Sequence, residues 1–367
     1  MNICFIHSSE EKVWGGAENW VLANAAGLQK LGHQVVIAGS ENSLFLKKYA
    51  STGFKILPLQ FSSWQIPLNI WKLKKFFQKY RIQVVVTQLL RDTRLTVYSA
   101  RLAGVAVHCV RHGNPLLSSE KPLPIFNRQV NGIIINSHST EIKYRSLGWL
   151  QQKNLRVIHN GMEIRHPVRS KRSEMLQAFG VPADRPLLGW FGPLVPDKKP
   201  LTAIKVLAAV KRFMPEAALL FVGDGPLRGY LDEHISRWGL ENSVFFLGPQ
   251  FRVLEIYHAC EAVMLTTLKE GIPNAVLESM LAGTPAVAFD NGGVRELITT
   301  AEVGIIVEPE NIDKMVAQVL DLLWHPQRRK QMGCAAREYI ARNFSAESMV
   351  DQVEDFFYEL YENRKNS

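Results

Sequence analysis

The stretch Glu270-Gly271-Ile272-Pro273-Asn274-Ala275-Val276-Leu277-Glu278, running on through Ser279-Met280-Leu281-Ala282-Gly283-Thr284-Pro285, decides the fold of this chain. Just before it stands Ala262-Val263-Met264-Leu265, an uninterrupted apolar run of the length that makes a buried parallel strand. Within the stretch, Ala275, Val276, Leu277, Met280 and Leu281 recur as a buried helical stripe, and Pro273 suits a first helical turn, where its missing N–H is no loss. Strand, loop and helix therefore follow one another, with Glu270 in the loop and Glu278 in the helix. Such a loop lies at the carboxyl end of a strand, where open α/β sheets bind ligands, and the N–H groups at a helix start hold anions.

Outward from there the same alternation of short β-rich runs and amphipathic stretches covers the chain, which argues for parallel sheets wrapped by helices. One series of strands is expected at 2–6, 34–38, 55–59, 83–87, 106–110, 132–136 and near 155–158. A second is expected at 187–191, 218–222, 244–247, 262–266, 285–289 and 304–307. Each series can build its own doubly wound sheet. Asn160-Gly161 and the charged run Arg165 to Arg172 mark a turn and a linker between them. Domains are thus expected at 1–164 and 165–345. The tail from Ser345 to Asn363 carries an apolar stripe at Met349, Val350, Val353, Phe356, Phe357 and Leu360, hence a helix.

Composition narrows the class. At 367 residues the chain exceeds what one core usually serves, which favours two domains. No window holds the roughly 18 to 20 apolar residues of a membrane span, and the first residues read as a strand, so a cytoplasmic protein is expected. Cys4, Cys109, Cys260 and Cys334 lack the paired spacing of a zinc site or redox dithiol and read as buried free thiols. Charge is uneven: residues 1–180 hold 24 Lys and Arg against 9 Asp and Glu, whereas residues 181–367 hold 19 against 25. In the basic half, Trp71-Lys72-Leu73-Lys74-Lys75-Phe76-Phe77-Gln78-Lys79-Tyr80-Arg81 interleaves large apolar residues with cations at helical spacing. It fits a helix drawn to anionic lipid, or equally a core-packed helix with a solvated basic face. No RNA- or DNA-reading motif accompanies the charge, so no nucleic-acid partner is expected.

Two Glu at this spacing recur by chance on solvated helix faces, but the full series of strings is more specific. Gly15-Gly16-Ala17-Glu18, Asn160-Gly161, Gly192-Pro193-Leu194 through Lys198, Val222-Gly223-Asp224-Gly225-Pro226 and the Glu270–Pro285 stretch occur in that order. Together they resemble the retaining glycosyltransferases of the GT-B fold, specifically glycosyltransferase family 4 with its E-x7-E motif, over residues 2 to about 345. The resemblance implies two Rossmann-like domains facing a cleft, with the tail helix, about 346–367, crossing back onto the first, acceptor-side domain. The second domain would bind the nucleotide-sugar donor, with closure about the 160–170 linker. It also implies roles. Lys198 faces the donor diphosphate, Glu270 the sugar hydroxyls and Glu278 the nucleotide ribose. Gly192, Gly271, Ile272, Pro273, Asn274 and Ala275 bring backbone close to sugar or phosphate, as do Gly15 and Gly16 from the first domain. His112 stands where the family keeps a histidine near the donor sugar, so Glu270, His112 and Lys198 are the expected catalytic residues. Arg91 and Arg111 are further candidates, while Glu18 and Glu296 read as helix-start carboxylates.

One departure stands out. Where the family usually has an arginine this chain has Pro193, which removes a bidentate phosphate donor. Backbone N–H groups around Gly192, Arg295 or Lys199 are the available substitutes. No Asp-x-Asp string sits at a strand end to chelate a divalent ion, so neither metal nor other cofactor is expected. The expected activity is transfer of a hexose from a UDP- or GDP-sugar to a growing glycan. Lipopolysaccharide core or another bacterial surface polysaccharide, with a lipid-linked acceptor at the inner membrane face, is the expected acceptor. The rival readings are a GT-B nucleotide-sugar 2-epimerase and a donor-binding homologue with little transfer activity.

Overall fold

A computed structural model describes residues 1–8, 15–50, 52–60, 66–113, 129–146, 154–164, 172–250 and 252–365. In chain order the first elements are β1 (Asn2–His7), α1 (Gly16–Lys30), β2 (Gln34–Ser40), α2 (Leu44–Ala50), β3 (Lys55–Leu59), α3 (Ile66–Lys79) and β4 (Val84–Thr87). Then come α4 (Leu90–Ala103), β5 (Val107–His112), β6 (Gly132–Ile135), α5 (His138–Arg145) and β7 (Asn154–Val157). A second series follows: α6 (Arg172–Ala178), β8 (Leu187–Phe191), α7 (Pro200–Val210), β9 (Ala218–Val222), α8 (Arg228–Arg237), β10 (Val244–Phe246), α9 (Val253–Ala259) and β11 (Ala262–Leu265). It is completed by α10 (Asn274–Ala282), β12 (Ala286–Phe289), β13 (Ile305–Val307), α11 (Ile312–Trp324) and α12 (Pro326–Asn343), before a final helix, α13 (Ala346–Lys365).

The chain divides into two compact units, Met1–Glu163 with Ala346–Ser367, and Ile164–Ser345. The first holds a seven-stranded sheet in the order β3-β2-β1-β4-β5-β6-β7, the second a six-stranded sheet in the order β10-β9-β8-β11-β12-β13. Every named strand pairing is parallel. Both sheets were legible as continuous apolar runs because helices cover both faces of a parallel sheet and leave little place for polar alternation. In each, strand order reverses beside the first strand, between β1 and β4 and between β8 and β11.

Each unit has its own core. In the first, α1 and α13 pack on one face of the sheet, where Val350, Val353, Phe356, Phe357 and Leu360 join Ile3, Phe5, Val84 and Ile134. In the second, α7 and α11 bury Ile204, Leu207, Met315, Val319 and Leu322 against Leu219, Phe221 and Val287. Each such side chain contributes about 1.5–3 kcal/mol by leaving water.

Three expectations change in detail. Pro273 is the N-cap of α10, in an extended conformation, and Asn274 opens the first turn. Cys4, Cys109 and Cys260 are buried free thiols, pushed up by that burial, but Cys334 is exposed on α12, which is polar on its outer face. Of the expected linker, Arg165 to Lys171 lies outside the described residues, as does most of the hinge expected over 160–170. Arg172 opens α6, its guanidinium holding the Ala259 and Arg185 carbonyls at 3.0 and 2.9 Å. The basic segment Trp71–Arg81 is helical to Lys79, within α3. Among the described residues no helix is long and apolar enough to cross a membrane.

Candidate active site

In the second unit the loops after β8 and β11 leave adjacent strand ends at the point where strand order reverses, the usual ligand position of such sheets. Two threonines join these loops. The Thr266 hydroxyl accepts the Trp190 indole N–H at 2.9 Å and turns its own proton to the Lys198 and Lys199 carbonyls at 2.8 and 3.0 Å. Thr267 donates to the Asp197 carbonyl at 3.1 Å. The short 3₁₀ turn Pro196–Lys198 is thereby fixed, and the Lys198 ammonium meets the Glu270 carboxylate in an ion pair. Both side chains are mostly covered, and the second Glu270 oxygen, Oε2, is buried with no hydrogen-bond partner among the described residues. A buried acceptor left unpaired costs about 1–3 kcal/mol, so this atom is primed for a hydroxyl.

Backbone contact holds Glu270 in place. Glu270 bridges Gly292 in the parallel sense, and a Cβ on Gly293 would lie 1.5 Å from the Gly271 carbonyl oxygen. Only glycine permits that approach. On the other side, a Cβ on Gly223 would lie 2.0 Å from the Gly192 carbonyl oxygen, so Val222-Gly223 forms the floor under the β8 loop. Glu278 follows on α10, partly exposed. Burial of its carboxyl pushes it up to about 7, opposed by a hydrogen bond with Tyr257. Tyr257 is itself pushed well above the usual phenol range by burial and by Glu278. Its ring stacks on Phe191 at 3.6 Å, which fixes the hydroxyl beneath Glu278. At the start of α10 the Val276 and Leu277 N–H groups return to the Pro273 carbonyl at 3.1 and 3.2 Å. The Ile272–Ala275 segment, four of the expected site residues, lies just N-terminal to these bonds.

The three expected substitutes for an arginine at Pro193 each have another partner. The Gly192 N–H donates to the Val222 carbonyl at 3.0 Å, Lys199 pairs with Glu310, and Arg295 forks onto the Asp290 carboxylate at 2.9 and 2.6 Å.

In the first unit a polar cluster occupies the ends of β1, β4 and β5. Glu18 takes the Gly15 N–H at 2.9 Å on one oxygen and meets His7 Nε2 at 2.8 Å on the other. The Gly15 N–H is therefore engaged by its own helix start, and Gly16 opens α1. Arg111 is buried, with one nitrogen donating to Asn160 at 2.8 Å and the guanidinium 5.1 Å from the Trp20 ring centre. Burial pulls it down to about 10, partly offset by Glu18. His112 ends β5, and its Nδ1 lies 2.6 Å from the Tyr144 hydroxyl. Burial and Arg111 pull this imidazole down to about 4, so it is neutral at ordinary pH. Arg91 Nε donates to Ser8 Oγ at 2.8 Å. Asp92, absent from the sequence-based set, is fully buried, accepts the Ser8 N–H at 3.1 Å and is pushed up to about 6 by that burial. Tyr257, Tyr144 and Asp92 escaped notice because they act from helices whose contacts no local spacing reveals.

Two doubly wound parallel sheets in one chain, each carrying a polar cluster at its carboxyl ends, are the architecture of the GT-B fold. Residues 171–339 match the family described as Glycosyl transferases group 1, and residues 14–166 match Glycosyltransferase Family 4. The chain belongs to glycosyltransferase family 4. It is similar in fold to Anabaena HepE solved with UDP-glucose, at 21% identity and a TM-score of 0.84, covering 98% of this chain and 100% of that one. It is 25% identical over 313 residues to the UDP-Gal:alpha-D-GlcNAc-diphosphoundecaprenol alpha-1,3-galactosyltransferase of Escherichia coli, covering 81% of this chain and 80% of that protein. Over 187 residues it is 30% identical to a GDP-mannose-dependent alpha-(1-6)-phosphatidylinositol monomannoside mannosyltransferase of Mycolicibacterium smegmatis, covering 48% of this chain and 49% of that protein. The match spans about half the length of several such curated relatives.

Proposed function

We propose that this chain is a retaining hexosyltransferase that moves a sugar from a UDP- or GDP-sugar to a growing bacterial surface glycan carried on a lipid. The observation that carries the reading is the Lys198–Glu270 pair at the β8/β11 reversal, with Glu270 Oε2 buried and without a hydrogen-bond partner among the described residues. Departure of a nucleoside diphosphate develops negative charge that Lys198 and the amino end of α10 stabilise. A bound donor exchanges partners with the ion pair: its diphosphate takes the Lys198 ammonium, and its sugar hydroxyls take the Glu270 oxygens. Glu278 accepts the two ribose hydroxyls, a task for an ionised carboxylate. Gly192, Gly271, Ile272, Pro273, Asn274 and Ala275 supply backbone to the sugar and phosphates. Gly15 and Gly16 share in the diphosphate, and His112 in the sugar. Lys198 and the α10 dipole do the work that a divalent cation does elsewhere, so transfer needs no metal and proceeds in a chelator.

The lipid-linked acceptor is favoured by the first unit's surface. On α3, Leu68 and Trp71 are exposed, and Lys75 Nζ lies 5.6 Å from the Trp71 ring centre. Helix α4 packs beside α3 and exposes Arg94, Tyr98, Arg101 and Leu102. Basic and apolar side chains presented together suit an anionic membrane face.

Thermal unfolding with UDP- and GDP-sugars tests the donor, since a ligand at 100 times its Kd stabilises by about 2.7 kcal/mol. The stabilising donor is then incubated with lipid-linked glycan and EDTA, and the product's anomeric configuration is read by NMR. A retained anomer is expected. An inverted anomer refutes retention, and failure of every nucleotide sugar to stabilise the protein refutes the donor site.

A further inference from the structure

We infer that Tyr144 is a positioning residue that fixes the His112 imidazole as its Nε2–H tautomer, so that His112 meets its ligand as a hydrogen-bond donor and not as a base. The two side chains come from different elements, His112 from the end of β5 and Tyr144 from α5. Their hydrogen bond is 2.6 Å long, and both residues are buried, at 3% and 0% exposure. The rings meet edge to face, 84° apart with centres at 5.6 Å, so the phenol cannot swing away without losing packing.

The direction of the proton follows from the two groups' chemistry. A phenol oxygen shares its lone pair with the ring and accepts poorly, whereas an imine nitrogen of neutral imidazole accepts well. Tyr144 therefore donates and Nδ1 accepts. A neutral imidazole carries one proton, so it must sit on Nε2, which has no partner among the described residues. Among the described residues, the charged or titratable groups acting on His112 are Arg111 on its own strand and Tyr144 on α5. Burial and the Arg111 cation both oppose a second proton. The group thus offers one N–H to a ligand oxygen and has no proton acceptor left for general-base chemistry. That the ligand is the donor sugar rests on the proposed function; the tautomer does not.

The experiment is long-range ¹H–¹⁵N NMR on the full chain labelled with ¹⁵N-histidine, in wild type, Tyr144→Phe and, to assign the signal, His112→Ala. In wild type, His112 Nδ1 should resonate as an imine-type and Nε2 as a pyrrole-type nitrogen, unchanged between about pH 6 and 8. Tyr144→Phe should shift both signals toward the tautomer average. With the donor found by thermal shift, Tyr144→Phe should lower kcat by about 10-fold, the lower end of what losing such an outer partner costs. Nucleoside diphosphate affinity should not change. In a His112→Ala background the same substitution should have no further effect on kcat. A protonated Nδ1 in wild type, or an equal kcat loss from Tyr144→Phe in both backgrounds, overturns the inference. If no donor is turned over, the proposed function fails while the NMR spectrum still decides the tautomer.

Discussion

Protonating Glu278 should weaken donor binding, and the structure sets the pH at which this happens. Burial raises the carboxyl to about 7, and in the proposed role only an ionised carboxylate can accept both ribose hydroxyls. At that value about ten in eleven molecules are ionised at pH 8 and about one in eleven at pH 6, so affinity should fall about 10-fold, or about 1.4 kcal/mol, between the two. The ligand does not confuse the result, because each phosphorus of a nucleotide sugar is doubly esterified and has no ionisation near neutrality. Glu278→Gln should cost about 1.5–3 kcal/mol of affinity at pH 8, the contribution of a charge-assisted hydrogen bond, and should remove the pH slope. Stability should move the other way. A carboxyl raised in the folded state adds stability below its unfolded value and loses it as pH rises through about 7, so Glu278→Gln should raise the ligand-free Tm at pH 8. Calorimetric titration of the wild type and the variant with UDP-glucose and GDP-mannose measures the affinity. Wild-type affinity that is flat between pH 6 and 8, or the same slope in the variant, refutes the assignment.

Further outcomes are expected. Gly293→Ala forces a Cβ toward the Gly271 carbonyl and should destabilise the protein by about 1–3 kcal/mol while displacing Glu270; an unchanged Tm with unchanged donor affinity contradicts the contact. Pro193→Arg should raise affinity for a nucleoside diphosphate relative to its monophosphate, because the obvious substitutes already hold other partners; an unchanged ratio shows that another cation serves. Changing Lys72, Lys74, Lys75 and Lys79 together to Gln should abolish co-sedimentation with anionic vesicles. In wild type that binding should weaken as salt shortens the Debye length from about 10 Å at 0.1 M to about 3 Å at 1 M. Binding that survives both changes assigns these lysines to a solvated face.

The strands were readable because a parallel strand buried on both sides must be apolar throughout, as Leu187–Phe191 and Ala262–Leu265 are. Caps and turns were less so: Pro273 serves as N-cap although it equally suits the first turn, and Cys334 faces solvent although its neighbours Met332 and Ala336 are buried. Of the site, the loop after each strand was legible, since topology alone puts Lys198 and Glu270 at neighbouring strand ends. What was not legible acts through space. The ion pair between those two residues, Tyr257 beneath Glu278, Tyr144 against His112 and the Gly271–Gly293 approach join segments 21 to 72 positions apart. No periodicity encodes such encounters.

The placement of α13 in the first unit sets an order of events during synthesis. Val350 lies against Gly27, where even a Cβ would come within 2.5 Å of it, and Leu360 lies equally close over Gly132. The apolar face of the first sheet thus waits for side chains made after residue 346, whereas the second unit holds all its own strands and helices between residues 164 and 345. On a chain emerging amino end first, the later-made unit can complete its core before the earlier one does. Until then the uncovered sheet face around Ile3, Phe5 and Ile134 is a surface for chaperones to hold, and a chain cut short just before α13 carries a complete second unit tethered to an unfinished first.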